Sequence, residues 1–321
     1  MQDDERFGRA GRAMRPWIVL AWSLVAGLAV VQLMGCGGAA DSDADASAEK
    51  AAADAEYADA MATEHAGETP TASGAADAAA AGGESSVMAE DVVYGSVGER
   101  ELTGYLARPE SAEVGGPAVI VIQEWWGLND NIRDMARALA GHGYTALAVD
   151  LYDDQVATTR DEARALVQAA MERESELEEN LREAYRYLTE EGQATAVGSI
   201  GWCFGGGWSL RTALLFPTEL DAAVIYYGRV LDDRETLAPL EVPVLGLFGA
   251  DDEGIPVESV RAFETAMQEL GKSAEIHVYE GADHAFANPS GQRYDAEVAE
   301  RAWAETLAFF GEHLHADGGG A

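Results

Sequence analysis

Six short apolar runs, each bounded by turn residues and separated by longer amphipathic stretches, constrain this 321-residue chain most. They are Pro117–Ile122, Tyr144–Val149, Ala196–Ile200, Ala222–Tyr227, Val244–Phe248 and Ala274–Tyr279. Runs this continuous read as strands covered on both faces, the habit of parallel sheets. Between and after them, Ile132, Met135, Ala136 and Leu139 share one helical face. Helical patterns also cover Arg160–Glu191, Gly206–Phe216, Val257–Leu270 and Tyr294–His315. Strands alternating with helices predict an α/β fold, a mainly parallel sheet with helices on both faces. Ahead of it, Val92–Tyr94 and Leu102–Leu106 flank a polar turn with Gly95 and Gly98, which predicts an opening β-hairpin.

The residues before this pattern have another character. Arg12 and Arg15 precede an apolar run, Trp17–Leu33, which ends in Leu33-Met34-Gly35-Cys36. A basic flank, an apolar stretch and a small residue predict a secretory signal peptide over 1–35. Its last residues resemble a bacterial lipoprotein lipobox, in which Cys36 would be lipidated. An uncleaved anchor is the alternative, since about 17 apolar residues is the short end of a membrane span. Either way the domain is expected outside the cytoplasm and anchored to a membrane. Met14 is an alternative start. Residues 36–87 are rich in Ala, Asp, Glu and Gly and too poor in large apolar residues to offset chain entropy. They predict an unstructured, self-repelling tether in which His65 is inert. The folded domain is expected over 88–315, with 316–321 a frayed tail.

Acidic residues outnumber basic ones 57 to 21, a net charge of −36. Such a surface repels nucleic acid and anionic membrane surfaces and argues against both as charge-driven partners. The chain has two cysteines. With Cys36 assigned to the anchor, Cys203 has no disulfide partner, and an unpaired thiol outside the cytoplasm calls for a use.

That use is suggested by Gly201-Trp202-Cys203-Phe204-Gly205, placed between a strand and a helix. A sharp strand–turn–helix with glycine on both sides is the context of a nucleophile elbow, although a buried small thiol would also satisfy the spacing. The loops after two later strands hold Asp251-Asp252 and Asp283-His284. Nucleophile, acid and base thus follow the chain order of an α/β-hydrolase, each beyond a strand's carboxyl end. Thiolate attack on a carbonyl needs an imidazole to manage protons and a carboxylate to hold the imidazole. The developing oxyanion needs backbone N–H donors, one of them expected from Phe204. His142, His277, His313 and His315 show no partner pattern and are expected to be structural or exposed. The acidic run Asp251–Glu253 lacks the ligand spacing of a calcium loop.

Residues 88–315 resemble the dienelactone hydrolase family. The resemblance is carried by Gln123–Asn129, Ala148–Tyr152, Gly198–Gly206, Tyr227-Gly228, Gly249–Pro256 and Gly281–Phe286. It implies a monomeric α/β-hydrolase fold, a Cys203-His284-Asp252 triad with Asp252 preferred to Asp251, and no metal or organic cofactor. It implies that Glu124 helps to control the ionisation of the nucleophile. It also implies that Trp125 offers the second oxyanion N–H. Family arginines that hold a substrate carboxylate are replaced by Asp153-Asp154 and Asn288, which disfavours an anionic substrate. Trp125, Trp126, Trp202, Tyr227 and Phe286 are candidates for an aromatic pocket, or for core filling. The expected activity is hydrolysis of a small neutral ester or lactone. The alternatives are a non-catalytic binding protein on a hydrolase scaffold, and a redox thiol, for which no resolving cysteine exists.

Overall fold

The computed structural model describes residues 54–63, 65, 86–111 and 115–315. The predicted signal peptide, Cys36, most of the predicted tether and the tail lie outside the described residues. Among the described residues, no helix is long and apolar enough to cross a membrane.

The strands are β1 (Val87–Val97), β2 (Arg100–Pro109), β3 (Gly116–Ile122), β4 (Thr145–Val149), β5 (Ala194–Trp202), β6 (Ala222–Tyr226), β7 (Val244–Gly249) and β8 (Ala274–Tyr279). They form one eight-stranded sheet in the order β1-β2-β4-β3-β5-β6-β7-β8. The β1–β2 and β2–β4 pairs are antiparallel and the remaining pairs are parallel. Each of the six apolar runs corresponds to a strand, and the reason is visible in the burial. Every residue from Ala118 to Ile122 is fully inaccessible, as are Ala222–Ile225. Only strands covered on both faces can be apolar throughout.

The hairpin turns at Gly98-Glu99. Gly95 does not share that turn; it sits where the β1–β2 register shifts, with the Glu183 side chain against it.

The helices are α1 (residues 54–63), α2 (Asp130–Gly141), α3 (Arg160–Glu172), α4 (Glu174–Arg186), α5 (Phe204–Leu215), α6 (Arg234–Leu237), α7 (Val257–Glu269) and α8 (Ala296–Leu314). The single long helix predicted over 160–191 is three pieces: α3, α4 and a π-helical turn, Tyr187–Glu191. The break falls at Arg173, with φ −114° and ψ 31°. Its guanidinium reaches Asp153 at 2.8 Å. No glycine or proline marks the spot in Met171–Glu179, so periodicity alone ran through it.

α1 is the larger departure. Its Ala58 and Met61 are buried, and its Asp59 pairs with Arg164. This part of the predicted tether is packed, not unstructured.

Polar bonds tie α8 to the sheet. The Thr306 hydroxyl donates to the Ala302 carbonyl at 2.9 Å, so the Tyr226 hydroxyl, 2.7 Å away, must donate to Thr306. Tyr226→Phe then removes a donor without stranding a polar atom. It should cost about 1 kcal/mol, whereas Thr306→Val strands the buried phenol and should cost about 2 kcal/mol. Urea unfolding of both variants checks the order; a larger loss for Tyr226→Phe would contradict it.

Candidate active site

β5 delivers the chain to Cys203, which has φ 57° and ψ −118°. Few non-glycine residues adopt such a backbone, and holding one there costs about 1–3 kcal/mol. The surroundings over-determine it. The Cys203 N–H donates to the Tyr226 carbonyl at 3.0 Å, and the Cys203 carbonyl accepts from Gly206 N–H at 3.0 Å. A Cβ on Gly201 would overlap the Gly205 carbonyl, and one on Gly205 would overlap the carbonyls of Ile122 and Gln123. The flanking glycines therefore let the turn close against β3. Cys203 is 3% exposed and caps the N-terminus of α5, where the helix dipole favours negative charge. Tyr227 (φ 35°) and Ala285 (φ 57°), also around the site, share this unusual backbone sign.

Of the two neighbouring aspartates after β7, Asp251 is exposed and Asp252 is buried. One Asp252 oxygen accepts from the N–H groups of Gly254 and Ile255, at 2.9 and 2.8 Å. The other lies 2.8 Å from His284 Nδ1. A carboxylate can only accept, so Nδ1 carries the proton and Nε2 keeps a lone pair. Ligand-type atoms of Cys203 and His284 lie within 4.8 Å of each other. The loops after β5, β7 and β8 thus bring thiol, imidazole and carboxylate together.

Glu124, beyond β3, is buried and accepts from Asn288 Nδ2 at 2.8 Å. Asn288, counted at the sequence level only as a missing arginine, is a tie for this carboxylate. Asp153 is occupied by Arg100 at 2.5 Å and by Arg173, while Asp154 accepts from Thr103 at 2.8 Å. Tyr227 lies 5.0 Å from the His284 ring. Phe286 packs on Tyr226, Tyr227 and Tyr279, and Trp202 lies on Tyr226. Phe204 opens α5, and its ring lies 5.6 Å from that of Tyr152. Burial, with the Cys203 sulfur close by, holds the Tyr152 phenol well above its ordinary range.

His65 is not inert. Its Nε2 lies 3.4 Å from Cys203 Sγ, and its ring stacks on Trp125 at 4.3 Å. It stands edge-on to His284 at 5.1 Å and to Trp126 at 6.4 Å. A signal was there. Tyr57, Met61 and His65 recur every four residues, the only large ring or thioether side chains in a stretch of small and acidic ones. Helical spacing puts all three on one face.

Residues 102–314 match the dienelactone hydrolase family. The chain is 32% identical over 259 residues to a "Putative carboxymethylenebutenolidase" of Saccharolobus solfataricus, covering 69% of this chain and 98% of that one. Among solved structures, a "Putative Dienelactone Hydrolase" from Klebsiella pneumoniae is 32% identical, with a TM-score of 0.64 over 71% of this chain and 100% of that one. A dienelactone hydrolase-like promiscuous phosphotriesterase from metagenomic libraries is 26% identical, with a TM-score of 0.66 over 71% and 99%.

The close approach at the elbow can be tested directly. Gly205→Ala should lower stability by about 3 kcal/mol or more, or prevent folding, because backbone carbonyls cannot yield to the new methyl. Chemical unfolding measures it, and a cost under about 1 kcal/mol would show that the elbow relaxes freely.

Proposed function

The chain is a carboxylic ester or lactone hydrolase belonging to the dienelactone hydrolase family, and from that premise we propose that Cys203, His284 and Asp252 are its catalytic triad. The observation that carries this reading is the Asp252–His284 hydrogen bond of 2.8 Å, with His284 and Cys203 ligand-type atoms within 4.8 Å.

His284 Nε2 takes the thiol proton of Cys203, the resulting thiolate sulfur attacks the substrate carbonyl carbon, and the carbonyl electron pair moves onto oxygen. Backbone N–H groups of Phe204 and Trp125 hold that oxyanion. Collapse restores the carbonyl, breaks the carbon–oxygen single bond and leaves an acyl-thioester on Cys203. The departing alkoxide takes a proton from His284 Nε2. His284 then takes a proton from water, whose oxygen attacks the thioester and releases the acid and the thiolate. With a lactone, alcohol and acid leave as one hydroxy acid. Asp252 keeps the imidazole in one tautomer and stabilises its charged form. Glu124, beside the site, is assigned control of the thiol's ionisation.

A neutral substrate fits best. Asp153 and Asp154 are committed to Arg100, Arg173 and Thr103, and Asn288 adds no charge. Arg293 approaches the site but has Asp283 at 3.6 Å. Tyr227, Trp125 and Trp126 supply aromatic walls, while the contacts of Phe286 and Trp202 favour packing roles. Lipidation at Cys36 and an extracytoplasmic place belong to the same proposal. They rest on residues 12–36 alone.

Cys203→Ala should abolish turnover of 4-nitrophenyl acetate with the melting temperature unchanged. Asp252→Asn can keep the bonds from Gly254 and Ile255 but inverts the imidazole tautomer, and should lower kcat by about 10³–10⁴-fold. Undiminished turnover by Cys203→Ala would refute the nucleophile. For the parent protein, kcat/KM for neutral acetate and butyrate esters should exceed that for a succinate half-ester by about tenfold or more. The reverse preference would place a usable cation in the pocket.

A further inference from the structure

The mouth of the site is a docking surface, and its occupant is the chain's own segment 54–65. The docking is built from several independent contacts. Ala58 and Met61 are 0% and 3% exposed. The Tyr57 ring lies under the Arg229 guanidinium, 5.2 Å from its carbon. Asp59 pairs with Arg164, and Arg160 donates to the Ala62 carbonyl at 3.1 Å. His65 N–H donates back to the Met61 carbonyl at 3.0 Å, an i→i−4 bond that holds His65 at the end of α1. The ring then enters the site and is 2% exposed.

What the ring does there follows from its two nitrogens. Arg293 Nη2 lies 3.4 Å from His65 Nδ1. A guanidinium can only donate, so Nδ1 accepts and the proton sits on Nε2. Nε2 faces Cys203 Sγ at 3.4 Å, so its N–H points at sulfur. His65, Cys203 and His284 are also near enough to one another to surround a cation. Metal binding would need a lone pair on His65 Nε2, the atom that this arrangement protonates, so the contact is a hydrogen bond to the nucleophile.

The imidazole lies flat on Trp125, the residue whose backbone N–H is assigned to the oxyanion, and against both Cys203 and His284. An ester carbonyl must occupy that same space to react. We propose that residues 54–65 are a cis-acting strap that holds the active site closed, with His65 as a plug that must withdraw before substrate reaches Cys203. The proposal rests on Cys203 being the nucleophile. Because the strap belongs to the same chain, its effective concentration is on the order of millimolar, and modest contacts suffice to keep it in place. Whatever pulls the segment N-terminal to α1 would open the enzyme.

The test uses the full chain and two variants outside the triad. His65→Ala removes the plug. Ala58→Glu places a carboxylate at a fully buried site of α1 and lifts the strap without touching the site. Both should raise kcat/KM for 4-nitrophenyl acetate by about tenfold or more, chiefly through KM. Both should speed alkylation of Cys203 by iodoacetamide, and a synthetic peptide of residues 54–65 should slow Ala58→Glu competitively. Equal or slower turnover and alkylation in both variants would overturn the strap, and a matched fall in kcat would make His65 a catalytic group instead. If all forms are inert toward esters yet the variants alkylate faster, the strap stands and the hydrolase reading fails.

Discussion

The left-handed backbone of Cys203 is the constraint on which the site depends. A residue at φ 57° between β5 and α5 stands clear of both elements. The sheet around it cannot relax, because β5 is central, paired with β3 on one side and β6 on the other. The bond from Cys203 N–H to the Tyr226 carbonyl extends the β6 ladder into the turn. The two glycines allow α5 to start against the end of β3. Strain at one residue is thus held by two neighbouring strands and a helix, and the sulfur sits at a helix N-terminus as a consequence.

The same geometry explains what the sequence could reveal. Parallel strands buried on both faces leave continuous apolar runs, so the strands from β3 to β8 were legible to within about two residues at each end. The three residues proposed as a triad could be picked out because each lies just past a strand's carboxyl end, and strand ends are marked by Gly249, Gly281 and the elbow. Asp252 could be preferred to Asp251 only through resemblance. Its burial and its bonds to Gly254, Ile255 and His284 supply a physical reason. The break at Arg173 was not legible, since no glycine or proline marks it and the apolar periodicity continues across it.

The packed part of the tether escaped for a different reason. Composition averages over a segment, and this one is dominated by alanine and acid. Three large side chains at four-residue spacing are too few to lift the average, yet they suffice to dock one short helix on an existing surface. A helix of ten residues is marginal alone in water. Here its order comes from the domain it touches, through Ala58, Met61 and the bonds to Arg160 and Arg164. Intrinsic propensity and tertiary docking are different sources of structure, and composition reports only the first.

The proposed preference for a neutral substrate turns on Asn288 and its bond to Glu124. An arginine there would both bond Glu124 and cancel its charge. The amide bonds at 2.8 Å but cancels nothing. With Glu124 ionised, a substrate carboxylate about 5 Å away would meet repulsion of about 3 kcal/mol at an effective dielectric near 20. That is roughly a hundredfold in binding, before the protein's net charge of −36 adds its own, more strongly screened, contribution. A neutral ester escapes both. The closed strap respects the same rule, since its tip is an imidazole that carries one proton in this arrangement and no net charge.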